Sequence, residues 1–314
     1  MISTVTVNPA LDKTVYVSKL VANDTNRITQ VEVDAGGKGI NCSRMLKELG
    51  AQTKAVAFLG GDSGDFVRMV LDREGIQVEA IPTQRPTRTC IAVEESAGVP
   101  PTTLNERGGP IEHPELVALL EKAKDAARES SYMVLGGSVP LGVNDDVHNA
   151  LVQIAAAGGA KAVLDADGKA FLQGIKAKPF MIKPNRDEAE RALDLEFESK
   201  ADVARGALKF AEMGIELVVI SLGKQGAIAC CDGRIYDAVP PEVTSISTIG
   251  SGDSLIAGVL HALETGASIE DALRLGCAAG AATAMSTGAQ IGKKSDVDEL
   301  VSQVKVSKAQ PAPL

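Results

Sequence analysis

Tryptophan is absent from this chain and aromatic residues amount to only 3% of it, so the interior has to be built from Ala, Val, Ile and Leu. An excess of basic charge is missing as well: the formal net charge is -9 over 314 residues, and the sequence pI is near 5.0. Nucleic-acid binding draws on a basic field that neutralises phosphates, so that class of function is disfavoured. Anionic small molecules have to be held by local Lys, Arg and backbone N–H groups instead of by global steering. The five cysteines, Cys42, Cys90, Cys230, Cys231 and Cys277, show no metal-ligand spacing and leave one thiol over in any fully paired scheme, which fits reduced thiols in a cytoplasmic protein. His113, His148 and His261 have no carboxylate or cysteine partners at metal spacing and read as structural residues. Apolar runs are broken by charge before they could span a bilayer, and no stretch has the form of a signal peptide. A chain of this length suits one large core, or one core with a small appendage.

What is present centres on Ser247-Thr248-Ile249-Gly250-Ser251-Gly252-Asp253-Ser254. Small residues and glycines give way to helix formers, the pattern of a tight turn feeding a helix over 252–264. Such a turn points unpaired N–H groups outward at the positive end of a helix dipole, so it can hold an anion, and best of all one that gains charge during a reaction. Asp253, beside that cradle, is placed to take a proton from a hydroxyl while the amides receive a phosphoryl group. The same spacing also suits an ordinary capped helix in which Asp253 only favours the first turn.

Elsewhere strands and helices alternate. A strand over 2–7 leaves through Asn8-Pro9-Ala10-Leu11-Asp12, read as a turn, in which Asn8 and Asp12 are either turn formers or hydroxyl-binding groups at a strand edge. The glycine-rich run 35–41 leads into a helix over 41–49; its backbone can approach a ligand closely, yet it lacks the gap and the terminal Gly-Lys-Ser/Thr of a Walker A loop. Strands over 53–58, 76–80, 132–136, 161–165 and 217–220 alternate with helices over 64–74, 115–129, 145–157 and 202–213, with Asp165 closing its strand and helix 271–286 near the end. Asn185 and Glu188 have capping-box spacing, and Asp232-Gly233 marks a hairpin between 227–231 and 234–239. Segments 14–17, 28–33, 88–93 and 101–105 do not interleave with long helices and so form a small β-layer apart from the main sheet. The tail from Lys305 reads as frayed.

The run STIGSGDSLIAG resembles the C-terminal signature of the ribokinase-like (PfkB) carbohydrate kinases. TVNPALD near the start and GGKGIN at 36–41 resemble its phosphosugar branch, which holds 1-phosphofructokinases, tagatose-6-phosphate kinases and minor-type 6-phosphofructokinases. The resemblance runs from about Thr4 to about Glu299 with its motifs in the family's order. It implies an α/β fold, a three-layer sandwich with a mostly parallel central sheet. The main domain would take 1–12, 34–86 and 107–303, a β lid over the sugar site 13–33 and 87–106, and a flexible tail 304–314. The implied activity is ATP-dependent phosphorylation of a ketohexose phosphate, with fructose 1-phosphate to fructose 1,6-bisphosphate as the expected reaction. Tagatose 6-phosphate, which RTCIAV at 88–93 suggests, and fructose 6-phosphate are the alternatives.

The implied roles fall on matching positions. Asp253 would be the base, with Gly250, Ser251 and Gly252 covering the phosphoryl group in transit. Asn8, Asp12, Gly37, Lys38, Gly39, Asn41 and Asn105 would meet the acceptor sugar, and Arg88 its phosphate. Gly61 would line the same pocket, and Gly136-Gly137-Ser138-Val139-Pro140 resembles the family's crossover from the sugar half to the nucleotide half. Lys183, Asn185, Ser221, Gly223 and Gly226, with Ser251 and Gly252, would hold ATP, and Glu188 would act through ordered water on Mg²⁺. Homodimers through the β lids are a further expectation. Ser247 stands where many relatives carry Asp, and Arg107 where they often carry a small residue or Pro. Two readings compete from other classes. A dinucleotide-binding oxidoreductase is disfavoured because Asn-Pro-Ala-Leu-Asp, not a glycine fingerprint, follows the first strand. A non-catalytic sugar-phosphate sensor leaves Asp253 and the anion turn without a purpose.

Overall fold

The computed structural model describes residues 1–95 and 101–309, so the part of the expected lid at 96–100 and the end of the tail at 310–314 lie outside the described residues. In chain order, β1 (Ile2–Thr6) leads to the antiparallel pair β2 (Ala10–Val17) and β3 (Gln30–Gly36), then to α1 (Lys38–Glu48), β4 (Thr53–Leu59), α2 (Gly61–Arg73) and β5 (Gln77–Pro82). A second antiparallel pair, β6 (Arg88–Glu95) and β7 (Thr102–Asn105), precedes α3 (His113–Arg128), β8 (Tyr132–Gly136), α4 (Val147–Gly158), β9 (Lys161–Asp165) and α5 (Gly168–Gly174). There follow β10 (Met181–Ile182), α6 (Arg186–Leu193), α7 (Lys200–Glu212), β11 (Leu217–Ser221), β12 (Ala227–Cys231) and β13 (Arg234–Val239). The described chain closes with α8 (Ser251–Glu264), α9 (Ile269–Ala284), α10 (Lys294–Val301) and β14 (Lys305–Ala309).

The strands sort into a 10-stranded sheet, in the order β14-β13-β12-β11-β10-β9-β8-β1-β4-β5, and a 4-stranded sheet, in the order β3-β2-β6-β7. From β5 to β11 the large sheet is parallel, and β12, β13 and β14 extend it antiparallel. Both of its faces are covered, which is why β4 is buried at every position instead of alternating. Alternate strand residues feed two cores. Val5, Leu135, Leu164 and Val218 pack under Leu119, Leu151, Phe171 and Phe210 of α3, α4, α5 and α7. Ile2, Val134, Val163 and Val219 pack under Met45, Ile256, Leu273 and Val297 of α1, α8, α9 and α10. With aromatics scarce, Ala and the aliphatic residues carry both layers, and the architecture is the expected three-layer α/β fold with a separate smaller sheet.

Local readings that fail do so where pairing overrides turn chemistry. Asp12 is not in a turn: β2 starts at Ala10, and Asp12 is paired on both sides, with Asp34 of β3 and Cys90 of β6. The small sheet therefore takes in Ala10 to Gly36, a wider span than 13–33. The helix expected from Asn41 starts at Lys38, with Gly37 as its N-cap. The tail is not frayed over 305–309, because β14 is laid antiparallel on β13, with Lys305 opposite Val239 and Ala309 opposite Ile235. Its Lys-Ser-Lys composition suits a sheet edge, where charge blocks further pairing.

Candidate active site

The parallel strands end on one side of the large sheet, and the residues that follow β1, β8, β9, β10 and β11 gather there, as open α/β sheets favour for ligands. Between these ends and the small sheet lies a cleft of about 620 Å³. Asp12 of β2, Arg88 of β6 and Asn105 of β7 line one side, and Asn8, Gly37, Lys38 and Asn41 line the other. Gly250 and Asp253 close it at the start of α8. Residues separated by hundreds of positions thus meet in one place.

The organising turn has the form its sequence suggests. Gly250 is the N-cap of α8 at φ 78°, a left-handed conformation that costs glycine little. Among the described residues no side chain caps the helix; the Ser251 amide turns back to the Thr248 carbonyl at 3.3 Å, which leaves the Gly252 and Asp253 amides for a ligand. Asp253 lies in that first turn and is buried, accepting a hydrogen bond of 2.9 Å from Asn41 Nδ2. Burial, and then the neighbouring Asp165 carboxylate, push its pKa from an ordinary 3.8 to about 7 against the pull of Lys38, Asn41 and Lys183. A carboxylate so tuned is suited to take a proton near neutral pH.

Asp165 is the hub beneath it, 1% exposed. Lys38 Nζ donates to Asp165 Oδ1 at 2.9 Å, and Lys183 Nζ stands 3.6 Å from Oδ2. Burial works to raise the Asp165 pKa, but the two ammonium groups outweigh it and hold the carboxyl below its usual range. Burial works against the Lys38 charge too, and the carboxylates of Asp165, Glu188 and Asp253 overcome it, keeping Lys38 a cation. Lys38 links the cleft to a second shelf, since its Nζ also lies 3.9 Å from Glu188 Oε1.

That shelf carries the remaining expected residues. Asn185 Oδ1 accepts from the Glu188 amide at 2.8 Å and Glu188 Oε2 accepts from the Asn185 amide at 2.7 Å, a complete capping box at the start of α6. Asn185 is bridged to Ser221 at the end of β11, Gly223 is exposed at the following turn, and Gly252 backs onto Lys183 Nζ. Ser251 Oγ is buried with no hydrogen-bond partner among the described residues.

Three expected contacts are misplaced. A Cβ at Gly39 would stand 2.4 Å from Thr6 Oγ1, so this glycine lets α1 close onto β1 and does not line the cleft. A Cβ at Gly226 would stand 1.9 Å from the Ala238 carbonyl, so that glycine makes room for β13. Gly61 opens α2 and is not among the cleft residues.

On the sheet side, Arg88 donates from Nη2 to the Asn8 carbonyl at 3.2 Å and from Nη1 to the Glu106 carbonyl at 3.0 Å, and its Nε is buried with no partner among the described residues. Asp12 is raised to about 6 by burial, with Arg88 drawing it down and Asp34 pushing it up. Sequence reasoning had no role for Arg107, Cys90 or Asp167, which also line the cleft. Their positions follow from strand register and crossover, and no local motif marks them.

A proton acceptor under an uncapped helix start, opposite a cluster of cations, is the equipment of phosphoryl transfer to a hydroxyl. The family described as "pfkB family carbohydrate kinase" matches residues 6–296. The chain belongs to this family. Among its relatives, the 1-phosphofructokinase of Borreliella burgdorferi is 33% identical over 98% of this chain and 98% of its own. The 1-phosphofructokinase of Bacillus subtilis is 32% identical over 98% of this chain and 100% of its own. The phosphofructokinase-2 of Escherichia coli, solved in complex with substrates and products, superimposes with a TM-score of 0.91 at 27% identity, covering 96% of this chain and 98% of that one. As a pfkB kinase, the chain is a phosphotransferase that uses ATP.

Proposed function

We propose that the chain transfers the terminal phosphoryl group of ATP to the free primary hydroxyl of a ketohexose phosphate, with fructose 1-phosphate as the acceptor and fructose 1,6-bisphosphate as the product. The observation that carries this reading is Asp253, pushed to about 7 and held by Asn41 at the first turn of α8. Asp253 takes the proton of the hydroxyl, and the turn of Gly250, Ser251 and Gly252 receives the phosphoryl group as its oxygens gain charge. Lys38, fixed by Asp165, supplies a cation at the line of transfer. Asn8, Asp12, Gly37, Asn41 and Asn105 line the cleft that takes the sugar, with Arg88 for its phosphate. Lys183, Asn185, Ser221 and Gly223 form the nucleotide shelf. The small sheet acts as a lid that keeps water from intercepting the phosphoryl group.

No set of three or more His, Cys, Asp or Glu forms a metal cage among the described residues. Mg²⁺ does not need one, since it keeps most of its waters and takes phosphate oxygens. Glu188 fits the task of accepting from that water shell, because its Oε1 is turned from the capping box toward Lys38. When bound, the ion neutralises phosphate charge between donor and acceptor. Glu188→Gln is expected to raise the Mg²⁺ needed for half-maximal activity about tenfold. The capping box survives in Gln, so thermal stability should hold to within about 1 kcal/mol. An unchanged Mg²⁺ requirement would leave Glu188 as a helix cap alone.

A coupled ADP-release assay on fructose 1-phosphate, fructose 6-phosphate and tagatose 6-phosphate at saturating Mg-ATP tests the acceptor. Fructose 1-phosphate should exceed both others in kcat/KM by at least about tenfold, the scale of one good polar contact in the transition state. A larger value for either 6-phosphate would reassign the acceptor without touching Asp253. Arg88→Ala should raise the acceptor KM by about tenfold or more and leave the ATP KM within about threefold, as loss of a charged hydrogen-bond donor predicts. Equal losses for both substrates would mark Arg88 as no more than the tie between Asn8 and Glu106.

The protein works as a cytoplasmic homodimer in this reading. The small sheet leaves Val31 48%, Val33 40% and Leu104 59% exposed, an apolar surface suited to a second copy. No helix among the described residues is long and apolar enough to cross a membrane.

A further inference from the structure

Behind the cleft, His148 near the start of α4 is fully buried, and its Nε2 lies 3.0 Å from the Gly137 carbonyl. A carbonyl only accepts, so Nε2 carries the hydrogen. Nδ1 is buried and has no partner among the described residues, where a second proton would be left without an acceptor, so the ring is neutral. Burial lowers the pKa of this histidine, with Lys38 adding to the effect of burial against the Gly137 bond.

Gly137 also donates its own N–H to the Asp165 carbonyl at 3.1 Å, which fixes the other side of the residue. In a trans peptide the C=O and the next N–H point in opposite directions. With the Gly137 carbonyl turned to His148, the Ser138 N–H is turned away from α4, on the side where Gly137 and Ser138 line the cleft. Among the described residues that N–H has no acceptor. Gly137 sits at φ 101°, and a glycine permits its peptide to rotate where another residue would resist. What holds the peptide is therefore the imidazole, since a buried carbonyl without a donor would turn to find one.

The consequences run into the sugar site. Ser138 Oγ receives Asn8 Nδ2 at 3.0 Å, Asn8 Nδ2 also reaches the Arg107 carbonyl at 3.4 Å, and Arg88 Nη2 donates to the Asn8 carbonyl at 3.2 Å. We infer that His148 is a positioning residue for the acceptor: it sets the Gly137–Ser138 peptide so that the Ser138 N–H faces the sugar phosphate and the Asn8–Arg88 wall stays in register. This inference rests on the kinase reading above, and it holds for whichever of the three ketohexose phosphates is the acceptor.

The test compares His148→Leu, which keeps volume and removes the donor, with His148→Gln, whose amide can donate to the same carbonyl. Each is assayed on the ketohexose phosphate that wild type uses best. His148→Leu should raise the acceptor KM at least about tenfold while the ATP KM stays within about threefold, and His148→Gln should recover most of the loss. A folded Leu variant with unchanged acceptor KM, or with both KM values moving together, overturns the inference. If the Leu variant does not fold, the ¹⁵N spectrum of wild type decides. Sugar phosphate, and not ATP alone, should then shift both the Ser138 amide and His148 Nε2, and the absence of such a shift overturns the proposal. Failure of wild type on all three sugar phosphates is a different result, which removes the kinase reading itself.

Discussion

Asp253→Asn is expected to lower kcat by at least about a hundredfold with both KM values near those of wild type, because the change removes the base and keeps the shape. Stopped-assay initial rates with fructose 1-phosphate and Mg-ATP measure it, and turnover within tenfold of wild type would sink the assignment. The same substitution should stabilise the protein. The folded-state value of Asp253 is raised from 3.8 to about 7. A raised acid contributes stability that is complete below its unfolded value and is lost as pH rises through the folded one. Above about pH 7 wild type carries the whole penalty of an ionised carboxylate with 7% exposure beside Asp165, and Asn carries none. Denaturant midpoints at pH 8 should therefore favour Asp253→Asn, by on the order of 1–3 kcal/mol, with the difference fading toward pH 4. Wild-type kcat should fall as pH drops through the same region, since the protonated acid cannot accept the hydroxyl's proton.

Such a trade-off explains why the helix start is built as it is. Ser254 Oγ accepts from Thr283 Oγ1 at 2.7 Å, which pins the α8 first turn to α9. Leu255, Ile256 and Val259 then bury the next turns in the core, so the Gly250 cap and the buried acid are held by packing beyond them.

The parts of this site that were legible in the sequence are those that a few neighbouring residues determine. Gly250 to Asp253 read as an uncapped helix start, Asn185 and Glu188 as a capping box, and Asp232-Gly233 as a hairpin, because each is a local backbone problem with few solutions. Asp12 was misread since Asn-Pro is strong turn chemistry, and only its pairing to β3 and β6 makes the residues after it a strand. Gly39 and Gly226 were misread because a glycine that admits a ligand and one that admits a neighbouring backbone look alike along the chain. Lys305 to Ala309 lack apolar alternation because an edge strand has little to bury. The meeting of Lys38, Asp165 and Lys183, and the turn of Gly137 toward His148, depend on crossovers between distant strands, so no one-dimensional spacing displays them.

Asp165→Asn is expected to be the most damaging change outside the base itself. It removes the carboxylate that holds Lys38 at 2.9 Å and faces Lys183, whose side chain is only 5% exposed. A buried ammonium without its partner destabilises a fold by about 3 kcal/mol, and urea midpoints should fall accordingly. Lys38 also loses the contact that aims it, so kcat above pH 8 should drop by about ten- to a hundredfold, as misplacement of a transfer group does. The distinguishing sign lies in the pH profile. Asp165 is the main charge that raises Asp253, while Lys38 and Lys183 pull it down. Removing Asp165 both ends that repulsion and frees the two ammonium groups to act on Asp253 alone, so both changes lower the pKa of the base. The acid limb of kcat should therefore move to lower pH by about one unit or more in the variant, even as its plateau falls. A lowered plateau with the limb unmoved would mean that Asp165 only props the fold, and that Asp253 owes its value to burial.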